Sequence, residues 1–92
     1  MIEKFLPEHI DQLETFPAGS EVLVRDLVNG KIHVLNTTAA EILEMCNGRN
    51  DAAVLTAHLA AGSNVERSTV AADIQSLLEE FQRLGLLKSR LH

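Results

Sequence analysis

The residues able to do chemistry in this 92-residue chain are few and scattered: one cysteine, Cys46, four histidines at 9, 33, 58 and 92, and an acidic series that includes Asp73 and Glu79-Glu80. A thiolate nucleophile needs a lowered pKa and an exposed, electropositive setting. Cys46 instead falls on an apolar helical stripe, where a thiol behaves as a small hydrophobe. No two histidines show the paired spacing of a zinc site, and a single cysteine has no internal disulfide partner. His33 lies in a strand pattern with Lys31 and Leu35, and His58 stands beside Leu59 with no nearby acid in sequence to orient it, so both read as surface or boundary residues. Asp73 sits at the edge of a helical stripe, placed either to orient a partner or simply to be solvated, and Glu79-Glu80 reads as a solvated face. A phosphate-binding glycine loop, a histidine-acid-serine set and a metal-ligand pattern are all missing from the motifs, so the chain reads as a non-enzyme with neither cofactor nor metal.

The elements that must position these residues are drawn from a small inventory. The length suits one domain with one core, spanning residues 1–92 with its packed part at about residues 10 to 88. With three phenylalanines, no tryptophan and no tyrosine, that core is built from Leu, Ile, Val and Ala. Thirteen acidic against eight basic residues give a net charge of −5, the wrong sign for a phosphate-binding surface. No apolar run approaches the roughly 18 to 20 residues of a membrane span, and the first residues lack a signal-peptide pattern, so a cytoplasmic protein is expected.

Period places the elements. Phe5 to Phe16 fits neither helix nor strand cleanly, although Asp11 to Phe16 has room for a strand, and Pro17-Ala18-Gly19-Ser20 reads as a turn. Residues 21–28 and 31–35 read as antiparallel strands joined at Asn29-Gly30, with both of those residues at the positive φ of a type I′ turn. Ala39, Ile42, Leu43 and Cys46 then recur at helical spacing behind a Thr38/Glu41 capping box, with Gly48 past the end. A second helix starts at an Asp51 N-cap, buries Ala52, Leu55 and Leu59, and stops at Gly62. The third begins near Glu66 to Ser68 and runs to Gly85, with Val70, Ile74, Leu77, Leu78, Phe81 and Leu84 on one broad stripe. Leu86-Leu87 returns to the core. The expected class is α+β, a winged helix-turn-helix-like arrangement of a small antiparallel sheet of two to three strands followed by three helices.

That element order is shared with winged-helix DNA regulators. Here, however, Arg67, Gln75, Gln82 and Arg83 of the third helix are diluted by Asp73, Glu79 and Glu80. Two features point instead to a protein or peptide partner: a strand after Asn29-Gly30 that is placed to be an unpaired edge, and a helical stripe broader than a small core requires. A subunit that docks onto a larger enzyme through that stripe is the remaining reading.

The ordered series of motifs resembles the PqqD family. It comprises Val22-Leu23-Val24-Arg25-Asp26-Leu27-Val28, Asn29-Gly30, Lys31-Ile32-His33-Val34-Leu35-Asn36, the helix start Thr37-Thr38-Ala39-Ala40, and the close at Asn47-Gly48. Leu55 and Leu59, Val65 followed by Asp73-Ile74, and Leu84-Gly85-Leu86-Leu87 extend the resemblance across most of the chain. It implies the three-strand, three-helix module called the RiPP recognition element. Such a module binds the leader of a ribosomally made precursor peptide as an added strand and presents it to a modifying enzyme, often of radical S-adenosylmethionine type. The resemblance places the peptide against Lys31, Ile32, His33, Val34 and Leu35, beside the helix carrying Arg67, Val70, Ala71, Ile74 and Leu78. Relatives often carry an aromatic residue where Ile32 or His33 stands and a proline or glycine at Thr37 or Ala39. The segment before the turn also lacks the Arg and Pro-Glu features of members devoted to pyrroloquinoline quinone synthesis, so the resemblance implies another peptide-modification pathway.

Overall fold

Alternating apolar residues from Leu13 to Asn36 produce a meander of three antiparallel strands, and helical periods then take over for the rest of the chain. The computed structural model describes residues 5–88. Its elements are β1 (Leu13–Ala18), β2 (Glu21–Asp26), β3 (Lys31–Asn36), α1 (Thr37–Met45), α2 (Ala52–Ala61) and α3 (Arg67–Arg83), with sheet order β1-β2-β3. This is the α+β architecture expected from the periodicities. β1 takes in Pro17 and Ala18, which pair with Val22 and Glu21, so the first reversal is only Gly19-Ser20 rather than the four-residue turn expected.

The second reversal also differs from expectation. Asp26 pairs with Lys31, leaving Leu27 to Gly30 as a four-residue loop in which Gly30 has φ of 70° and Asn29 does not adopt positive φ. Asp26 is the cause. Its carboxylate is 1% exposed and accepts the backbone N–H of Val28 (2.9 Å) and Asn29 (3.0 Å) together with the Asn29 side-chain amide (2.8 Å). A buried acid that holds the loop amides ends the strand two residues earlier than the apolar pattern does. These bonds, led by the Asn29 side chain, hold the Asp26 carboxyl below its ordinary value.

α1 starts two residues earlier than a Thr38 cap would allow. Asn36 is the N-cap, and its carboxamide oxygen accepts the Ala39 N–H at 2.7 Å, so the expected capping box is not formed. Asp51 caps α2 as expected, accepting from the Val54 N–H at 2.9 Å. α3 ends in a Schellman motif: Leu86 N–H donates to the Phe81 carbonyl (2.9 Å), Gly85 N–H to that of Gln82 (3.0 Å), and Gly85 has φ of 77°. That reversal aims Leu86 and Leu87 back into the interior, where both are buried.

The core joins Val24 and Leu35 of the sheet to Ile42, Leu43 and Cys46, to Leu55, and to Val70, Ile74, Leu78 and Phe81. Leu77 and Leu84 pack against it partly buried, so the stripe of α3 that looked broader than a small core needs is consumed by the core. The segment before β1 is a clasp. His9 N–H reaches the Cys46 carbonyl (2.8 Å), Ile10 N–H that of Leu86 (2.9 Å), and Lys88 N–H that of Glu8 (2.7 Å), tying the end of α1 to the chain after α3.

Candidate interaction site at the free edge of the sheet

Among the described residues β3 pairs with β2 alone and has no strand on its other side, so alternate backbone groups along it lack a strand to bond to. β1 is the opposite edge, but Pro17 removes a donor there; β3 reads Lys-Ile-His-Val-Leu-Asn, with every N–H in place. Register sorts the side chains of β3. Lys31, His33 and Leu35 lie on the core-facing side across from Asp26, Val24 and Val22, while Ile32 and Val34 lie on the outer face across from Arg25 and Leu23. Leu35 is buried and His33 half-buried, whereas Ile32 and Val34 are 65% and 55% exposed.

The positions expected on α3 divide in two. Val70, Ile74 and Leu78 are buried in the same core cluster as Leu35, while Arg67 and Ala71 are exposed. A hollow of about 310 Å³ joins Asn36 at the end of β3 and Thr38 to Asp73, Ser76, Leu77 and Glu80 of α3. Ser76 had no distinguishing signal in sequence. Asp73 and Leu77 flanked or lay on the helical stripe, and that position was the only clue to them.

Exposed and half-buried apolar residues also collect on the outer face. Phe16, Leu23 and Val34 form one cross-strand row, and with Arg25, Leu27 and Ile32 the first two line an open hollow of about 430 Å³. Elsewhere the candidates for chemistry are placed as follows. Cys46 is fully buried, and burial pushes its thiol up to about 12. His58 does have an acidic partner: its Nε2 meets the Glu41 carboxylate across α1 and α2, 17 residues apart in sequence, on the exposed surface. Among the described residues no group of three or more His, Cys, Asp or Glu is arranged to hold a metal, and no helix is long and apolar enough to cross a membrane.

Two solved structures share this fold. TbiB1 in complex with the TbiA(beta) leader peptide superposes with a TM-score of 0.76 at 19% identity, covering 92% of this chain and 99% of that one. Lasso peptide synthetase B1 complexed with the leader peptide gives 0.77 at 20% identity, over 92% of this chain and 100% of the other. No curated protein matches the chain significantly. The sequence profile of the family described as coenzyme PQQ synthesis protein D matches residues 11–87, from before β1 to the buried Leu87, and the chain belongs to the PqqD family.

Proposed function

We propose that this chain is a non-catalytic peptide chaperone that binds the leader segment of a ribosomally synthesised precursor peptide and presents it to a modifying enzyme. The observation that carries this reading is the unpaired, proline-free β3 edge in a family whose structural neighbours were solved with leader peptides. The leader adds as a strand along Lys31, Ile32, His33, Val34 and Leu35. Arg67 and Ala71 flank it, and Val70, Ile74 and Leu78 hold the floor. Backbone pairing supplies affinity and the flanking side chains supply selection. The whole chain works as one recognition domain, and the partner is a modifying enzyme of radical S-adenosylmethionine type. The docking reading that relied on the α3 stripe loses that surface to the core. The net charge of −5 favours a peptide over DNA.

The test is to search the neighbouring open reading frames for a short precursor peptide, titrate its leader into isotope-labelled protein and follow amide shifts. Shifts concentrated on residues 31–35 and α3, at an affinity of micromolar order that changes little with salt, are expected. Proline placed in turn at Ile32, His33 and Val34 removes one ladder donor at a time. Where the lost N–H faces the open edge, the fold persists and binding is abolished. Binding that survives all three substitutions in folded protein overturns strand addition.

A further inference from the structure

Among the described residues, one buried side-chain polar atom has no hydrogen-bond partner, and it is Nε2 of His33. It has given up water and gained no bond in return, a state that buried polar groups seldom keep unless something else recovers the loss. Its position is informative. His33 is at the middle of the free-edge strand, on the core-facing side, across from the fully buried Val24.

The Asp26 carboxylate, on the same face of the sheet, accepts its three hydrogen bonds from Val28 and Asn29 of its own loop and none from His33. In one neutral tautomer and in the protonated ring Nε2 carries an N–H, and there it is a donor in search of an acceptor.

A peptide strand laid against β3 supplies a residue directly opposite His33, with its side chain on the same face and its Cβ about 4.5–5.5 Å away. At that separation a short polar side chain opposite lies within reach of an imidazole. We propose that His33 is a specificity-determining residue of the peptide site, its Nε2–H donating to a side-chain oxygen (Asp, Asn, Ser or Thr) of the bound residue opposite. The inference rests on the strand-addition reading above and adds to it the chemistry of one leader position. Of the β3 neighbours on the same face, Leu35 is apolar and Lys31 is an exposed, hydrated ammonium, so the buried His33 Nε2 is the hydrogen-bonding group there that water does not already satisfy. A site that must hydrogen-bond discriminates strongly against a ligand that cannot.

The probe is a library of random peptides displayed on phage and selected on the immobilised full chain, in parallel for wild type and His33→Leu. Wild-type selections are expected to converge on alternating apolar segments with Asp, Asn, Ser or Thr at one position. His33→Leu selections should carry an aliphatic residue there. Replacing the acceptor of a wild-type binder by Val should weaken binding to wild type roughly tenfold or more and leave binding to His33→Leu unchanged. The Nε2 resonance of the unmodified protein, read by nitrogen NMR, should move on adding that binder, a test that needs no variant to fold. The same motif from both proteins, or an unmoved Nε2 resonance while β3 amides shift, overturns the role of His33 and leaves strand addition standing. Selected peptides that shift residues away from β3, or a selection that yields no binder, overturn both.

Discussion

Cys46 and Asp26 are both buried and differ in what surrounds them. Cys46 lies among aliphatic side chains, and burial alone raises its thiol to about 12, so the thiolate is scarce at neutral pH. Iodoacetamide should leave it unmodified in folded protein and alkylate it fully in denaturant, as mass spectrometry would show; rapid native alkylation would contradict the buried placement. Asp26 is surrounded by donors, and its carboxyl is held below the ordinary 3.8 by the Asn29 side chain and loop amides. A depressed folded pKa means that the unfolded chain takes up protons first as pH falls. The stabilisation from Asp26 is complete above the unfolded value and is lost as pH drops through the lower folded one. Denaturant melts across that acidic range should show wild type losing stability relative to Asp26→Asn, with no such divergence near neutrality.

At the scale of elements, three polar residues in succession, Asn36, Thr37 and Thr38, each could have capped α1. Pairing decides among them: β3 keeps its register with β2 through Asn36, which pairs with Glu21, and the helix begins at the next residue. Asn36→Ala should therefore cost about 1 kcal/mol, and Thr38→Ala much less, in equilibrium unfolding. Equal costs would return the cap to Thr38. The Asn29-Gly30 pair marked the hairpin correctly, yet its turn type followed from the buried Asp26 carboxylate, a contact that apolar alternation does not encode. In the same way the stripe of α3 was readable from Val70 to Leu84, whereas how much of it the core would consume depended on where Leu35, Leu55 and Leu86 arrived.

At the scale of the molecule, Phe81 is fully buried where residues from the sheet and all three helices meet. Phe81→Ala should cost about 3–5 kcal/mol, a large share of the stability of a domain this small, read as a lowered denaturation midpoint. The clasp of Glu8, His9 and Ile10 over the ends of α1 and α3 closes the same core from outside the regular elements. Its residues follow neither period, which is why the opening segment was unreadable as sequence.

The amino-acid sequence by itself determined the element order, the hairpin position, the interior placement of Cys46 and the apolar faces of the helices, because periodicity and turn residues act over a few positions of chain. The family could be read from that ordered series. Tertiary structure alone decided that His58 meets Glu41, that Asp73, Ser76 and Leu77 share a hollow with Asn36, and that His33 Nε2 is buried without a partner. Each of these depends on which distant segments come together and which leave a polar group uncovered, and burial of the shared core sets that.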